Sequence, residues 1–153
     1  MFEIEQWGLI GLFIAGAIPW LEAITVVPTG IALGFNPIST VIAASVGNAI
    51  TIFVFAYMSS NIRKFITNRR VLRGKSTESP KFEKALKAFD KYGIYGMAVL
   101  GPLIIGTQFA AAASVAAGVK PIRASIIVTI AMFLWATVIA LVMIAFDLRF
   151  EIL

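Results

Sequence analysis

A single carboxylate, Glu22, interrupts the long apolar segments of this 153-residue chain. An ionisable group in such a setting is by default a functional feature, and here a candidate proton or cation site. The competing reading puts Glu22 at the mouth of a helical hairpin, in contact with water. Neutral polar residues recur around it. Thr25 and Thr29 follow in the same apolar region, Asn48 stands halfway along Ile38 to Met58, and Thr107 and Gln108 belong to a later region. Taken singly, each Thr or Asn ordinarily bonds a neighbouring helix. Converging from both regions, Glu22, Thr25, Thr29, Asn48, Thr107 and Gln108 would line a polar pocket for a substrate or ion.

Other chemistry is excluded by composition. The chain has no Cys and no His, which removes disulfides, zinc sites, haem ligation and Cys/His nucleophile pairs. One acid within the apolar segments gives no paired-carboxylate site. No catalytic residue, metal site or cofactor is expected, and an enzyme is the least favoured class.

The elements that would position these residues follow from the charge map. Hydrophobic residues make up 59% of the chain and charged residues 14%, against about half and about a quarter in soluble domains. The expectation is one all-α integral membrane domain over residues 1–153. A spanning helix needs about 20 apolar residues, and Ile38 to Met58 and Ala124 to Phe146 each fit one span. The remaining apolar regions, 7–35 and 92–118, are too long for one untilted helix and too short for two spans with a turn. Both are interrupted, the first by Pro19, Pro28 and Gly30, the second by Gly101, Pro102 and Gly106. Such breaks are tolerated in hydrocarbon only where protein or a water-filled cavity satisfies the freed backbone groups. Each region is therefore read as a re-entrant helical hairpin, with one tilted, kinked span as the alternative.

Ten of the 13 basic residues lie between Met58 and Tyr92, namely Arg63, Lys64, Arg69, Arg70, Arg73, Lys75, Lys81, Lys84, Lys87 and Lys91. The positive-inside rule places this loop, 59–91, in the cytoplasm, and returning Lys120 and Arg123 there requires a hairpin over 92–118. The location implied is a prokaryotic plasma membrane. Within the loop, Ser79 and Pro80 suit a helix start. Phe82, Leu86 and Phe89 share one face with lysines mostly opposite, and Glu83 precedes Lys87 by four. An amphipathic helix over 80–91, lying on the anionic leaflet, is expected. Topology explains these charges, and without a nucleic-acid motif no nucleic-acid partner is expected. Met1 to Trp7 carries Glu3 and Glu5 and no basic residue, so the first apolar stretch is expected to belong to the mature protein.

The two halves resemble each other. Trp7-Gly8 through Gly16 lines up with Tyr92-Gly93 through Gly101, matching three glycines. Ala32-Leu33-Gly34-Phe35-Asn36-Pro37-Ile38 lines up with Ala116-Ala117-Gly118-Val119-Lys120-Pro121-Ile122. The halves become repeats 7–58 and 92–146, each a hairpin followed by a span, the second inverted relative to the first. Inverted repeats with broken helices are a transporter architecture; duplication retained only for symmetric packing is the alternative. With two full spans a lone subunit shields little of two polar hairpins, so a homo-oligomer, a dimer, is expected, with membrane lipids around it.

Pro19-x-x-Glu22, Pro28-x-Gly30, Gly34, Gly47-Asn48, Gly101-Pro102 and Gly106-Thr107 together resemble the small multidrug export protein family. The second half is also similar to DedA-like (VTT-domain) membrane proteins, in Lys91-Tyr92-Gly93, Gly101, Gly106, Ala117-Gly118 and Trp135. The resemblance implies re-entrant hairpins and a small-molecule exporter, proton-coupled through Glu22, or a lipid or lipid-carrier flippase or scramblase. DedA-type proteins carry hairpin arginines where this chain has Pro102 and Gln108, and the export family an arginine where Thr25 stands. A non-transporting membrane scaffold is the reading from a different class.

Overall fold

The computed structural model describes residues 2–19, 21–74 and 80–146, with the backbone alone at 2–6, 60, 62, 63, 66, 67, 70 and 81. Every regular element among them is helical: α1 (Phe2–Ala17), α2 (Glu22–Ala32), α3 (Pro37–Tyr57), α4 (Ser59–Leu72), α5 (Pro80–Ile104), α6 (Thr107–Ala116) and α7 (Pro121–Ala145). The chain is all-α, and α3 and α7 are long and apolar enough to cross a membrane. Prolines open α3, α5 and α7, where the first helical N–H would lack a partner in any case and the fixed φ is already helical. The Ser79 cap, Lys75 and Arg149 lie outside the described residues.

Outward faces carry large apolar side chains. On α3, Ile38, Ile42, Val46, Ile50 and Val54 recur every four residues and are all exposed, Ile38 by 71%. An apolar stripe this long is an aggregation hazard in water and an ordinary surface in hydrocarbon. The opposite side of α3 buries small and polar residues: Thr40, Ala44, Ser45, Gly47 and Asn48.

The chain divides into two compact units, Met1–Thr51 with Ile130–Leu153, and Ile52–Thr129. In the first, α1 packs on α2 and also crosses α3 at backbone distance. A Cβ on Gly16 would meet the Ala44 carbonyl oxygen at 2.3 Å, and one on Gly47 would meet the Phe13 oxygen at 2.1 Å. Only the missing side chains let these helices approach so closely. Leu12 of α1 and Thr40 of α3 also close around Gly30 of α2.

In the second unit, α6 packs against α4 and α5. Gly93 interrupts α5 at φ 64°, ψ −171°, a conformation essentially reserved for glycine. The kink separates 80–92 from 94–104 and lets the first segment fold its apolar face inward. Phe82 and Ala85 are buried with Met97, Ile105, Phe109, Ala110, Ala112 and Ala113, and Leu86 and Phe89 pack on this cluster. The amphipathic helix expected on the leaflet thus spends its apolar face on the protein's own core. Its outer face keeps the expected pair, Lys87 Nζ donating to Glu83 Oε1 at 2.8 Å. Helix α4, within the stretch read only as basic loop, is an addition to the expected elements.

Four helix-break assignments change. Pro28 and Gly30 do not break the first region: α2 runs continuously through both. Gly101 and Pro102 likewise lie inside α5, and the break comes at Ile105 and Gly106, whose N–H groups both donate to the Gly101 oxygen, at 3.0 and 2.8 Å. A proline within a helix removes one donor, and the surrounding bonds carry the helix past it.

Candidate functional site

The short helices α2 and α6 are built alike at both ends. At their carboxyl ends, Leu33, Gly34 and Phe35 donate to the oxygens of Thr29, Ile31 and Gly30. Ala117, Gly118 and Val119 donate to those of Ala113, Val115 and Ser114. Each partner in the second set stands 84 residues after its counterpart. Gly34 (φ 88°) and Gly118 (φ 101°) occupy the left-handed position of this helix-ending motif. Pro37 and Pro121 then open α3 and α7 at the same interval. The correspondence ends at the residue between. Asn36 Oδ1 caps α3, accepting from the N–H groups of Ile38 (3.0 Å) and Ser39 (3.2 Å), a role Lys120 cannot fill.

The amino ends also correspond, and here the residue types diverge. Glu22 begins α2 at φ 32°, the one positive φ of a non-glycine among the described residues. Gly106, 84 residues on, precedes α6 at φ 97°. Glycine adopts such values freely. A glutamate is strained there, at a cost of order 1–3 kcal/mol. Glu22 is also 7% exposed. It stands in the first turn of a helix whose N-cap, Leu21, provides no side-chain hydrogen bond, so its carboxylate complements the positive end of the helix dipole.

The other candidate residues divide by face and by unit. Asn48 is fully buried on α3 in the first unit, while Thr25 and Thr29 lie on the exposed side of α2, away from the Ala23, Val26, Val27 and Ile31 face. Thr29 Oγ1 donates to the Thr25 carbonyl at 2.9 Å, so that hydroxyl is satisfied within its own helix. Thr107 and Gln108 belong to the second unit, fully buried at the start of α6.

Three hydroxyls escaped the sequence reading. Thr40 Oγ1 and Ser45 Oγ are buried on α3 without a hydrogen-bond partner among the described residues, as is Thr129 Oγ1 on α7. An unsatisfied buried hydroxyl costs about 1–3 kcal/mol. The signal for Thr40 was its spacing, two steps of four before Asn48, on the same face. By contrast Ser114 and Ser125 are buried but satisfied, donating to Ala110 O (2.8 Å) and Pro121 O (2.9 Å).

No group of three or more Asp, Glu, His or Cys residues able to hold a metal ion occurs among the described residues. The family described as Putative small multi-drug export protein matches residues 22–138, from Glu22 into α7, a range containing all the buried polar residues named above. No curated protein and no solved structure matches the chain. The chain belongs to that export family, and it is an integral membrane protein of the transport class.

Proposed function

Taking membership of this export family as the premise, we propose that the protein exports small molecules across a membrane, with Glu22 as the residue that couples transport to a proton or cation. The observation that carries the proposal is the pairing of burial with backbone strain at Glu22. A group held in a costly conformation out of water is retained for what it does there.

The proposed architecture is an inverted repeat. Helices α1 and α2 form one re-entrant hairpin, residues 94–104 of α5 with α6 form the other, and α3 and α7 are the spans. The 84-residue correspondence of caps, left-handed residues and opening prolines supports duplication. The positive-inside rule supports inversion, with the segment 59–91 in the cytoplasm. In such folds the amino ends of half-helices meet the solute. In the first unit that end carries Glu22 on α2, with Asn48, Thr40 and Ser45 as further polar groups on α3; in the second unit, by itself, it carries Thr107 and Gln108 on α6. The exposed Thr25 and Thr29 support a homodimer, in which a second copy would cover the outer face of α2.

Reconstitution in liposomes tests this. Fluorescent cationic, neutral and anionic solutes are followed under an imposed pH gradient, and a fluorescent lipid is followed in parallel. Glu22→Gln should abolish gradient-driven solute movement, and Glu22→Asp should retain part of it. Unchanged transport with unchanged pH dependence in Glu22→Gln removes the coupling role. Lipid movement without solute movement would instead support a flippase or scramblase, and movement of neither a scaffold. The chain is free of Cys, so single cysteines at 36 and 120 report topology directly. Labelling both from the same side would end the inverted-repeat proposal.

A further inference from the structure

A cavity of about 530 Å³ opens in the second unit where α3 gives way to α4. Its walls are Ala56, Tyr57, Ser59, Lys64, Val115, Ala116 and Pro121. The place in the fold is specific. Tyr57 is the last residue of α3, Ala116 the last of α6, and Pro121 the first of α7. The two membrane-length helices α3 and α7 therefore both contribute their ends to one cavity, which puts it at the boundary between hydrocarbon and headgroups rather than at membrane depth. None of its residues belongs to the candidate transport site.

The lining matches that boundary. Ala56, Val115, Ala116 and Pro121 supply an apolar wall. Tyr57 supplies an aromatic ring with a hydroxyl tip, the residue type favoured at membrane interfaces. Ser59 is buried and adds a hydroxyl, and Lys64 adds a positive charge. No acid lines it. Lys120 and Arg123 flank Pro121 in sequence and are exposed, which makes the surroundings basic as well. A cavity with a cation, hydroxyl donors and an apolar wall suits a phosphate ester attached to a hydrocarbon body. Basic pockets between helix ends at a leaflet surface are where anionic headgroups bind.

We propose that this cavity is a binding site for an anionic phospholipid, with the phosphate at Lys64 and Ser59 and the glycerol and first acyl carbons against Val115, Ala116 and Pro121. The site is independent of the transport reading above, since a transporter, a flippase and a scaffold could each hold such a lipid. It differs from general attraction to the leaflet because it is a cavity of fixed lining, so it predicts saturable, one-to-one binding that depends on Lys64 more than on other lysines.

The test uses the full chain in uncharged detergent, titrated with short-chain phosphatidylglycerol below its micellar concentration and followed by native mass spectrometry and calorimetry. One lipid should bind per chain, and short-chain phosphatidylcholine, which has the same phosphate but adds a quaternary ammonium, should bind at least about tenfold more weakly because that cation is repelled by Lys64 and the nearby basic residues. Lys64→Gln should weaken phosphatidylglycerol binding by about the same factor, Lys64→Arg should retain it, and Ala116→Leu should reduce it by filling the cavity. Lys84→Gln, on the exposed face of α5, should leave it within twofold. Far-ultraviolet circular dichroism on each variant separates loss of a site from loss of the fold. Equal losses in Lys64→Gln and Lys84→Gln would reduce the effect to general surface charge and overturn the proposal. So would equal binding of phosphatidylcholine, and binding of inorganic phosphate as tight as that of the lipid would assign the cavity to a soluble anion.

Discussion

Replacing Gly47 with alanine adds one carbon to a helix interior, and in isolation that change is favourable by about 0.5–1 kcal/mol. At the crossing of α1 and α3 the sign should reverse. The new Cβ would stand 2.1 Å from the Phe13 carbonyl oxygen and 3.0 Å from the Ala17 nitrogen. The ordinary closest approach of carbon and carbonyl oxygen is about 3.3 Å, so α1 must retreat by about 1.2 Å. Both partners are helix backbone, and no side chain can swing aside instead. Overpacking of this kind costs about 1–3 kcal/mol, about 5- to 150-fold in the ratio of folded to unfolded protein. Gly11→Ala is the control, because a Cβ there meets nothing within 4 Å and reports the helix-propensity gain alone. The assay is reversible unfolding in mixed micelles, followed by helicity against the mole fraction of denaturing detergent. Gly47→Ala should unfold earlier than wild type and Gly11→Ala no earlier. Gly16→Ala, which meets the Ala44 oxygen at 2.3 Å, should behave like Gly47→Ala. The double variant should cost less than the sum, because helices already parted at one contact are parted at both. The reasoning is refuted if Gly47→Ala is as stable as Gly11→Ala, since α1 and α3 would then have no backbone contact at that crossing.

Gly93→Ala places a side chain at φ 64°, ψ −171° and should destabilise the second unit by about 1–3 kcal/mol, seen as faster amide exchange across 80–104 by mass spectrometry. Phe82→Ala should cost about 3–5 kcal/mol in the same micellar unfolding assay, because the ring is buried on Met97 and Phe109. A ring that merely lay on the leaflet would leave unfolding unchanged and reduce only lipid binding. Lys87 holds the Glu83 carboxyl below the usual carboxylate range, through its hydrogen bond first and its charge second. The stabilisation from this pair is present above the ordinary Glu value and lost as pH falls through the lowered one. Carbon-13 titration of Glu83 should move up to the ordinary range in Lys87→Ala, with little change in unfolding because both groups are solvent-exposed.

The membrane class, the helical fold and the two spans were legible because they depend on apolar runs and charge placement, which are properties of composition along the chain. The start of α5 at Pro80 and the Glu83–Lys87 pair were legible because both are set within one or two turns. What the sequence could not give was the outcome of competition between a break and its surroundings. Pro28 and Pro102 are breakers by type, yet α2 and α5 run through them, while α5 is kinked at Gly93, and the segment before the kink places Phe82 in the cluster with Met97 and Phe109. The same limit applies to Phe82, Leu86 and Phe89. An apolar stripe on a basic helix reads identically whether it meets lipid or protein, and only the tertiary fold decides. Helix α4 carried no comparable signal, because its stretch reads as a run of charges.

The candidate site shows the limit most clearly. Glu22 stood out as the one acid in the apolar segments, a property of residue type. Its strained backbone became visible only when its φ could be set beside that of Gly106 at the equivalent position of the second half. If packing alone shaped that corner, glycine would serve in both halves, as it does at Gly34 and Gly118. A first half that keeps glutamate where the second keeps glycine bears a strain of order 1–3 kcal/mol. The expectation is that Glu22→Gly is more stable than wild type in micellar unfolding and inactive in liposomes. A glycine variant that is both less stable and active would show that the carboxylate holds the corner together, and the coupling role would pass to another residue.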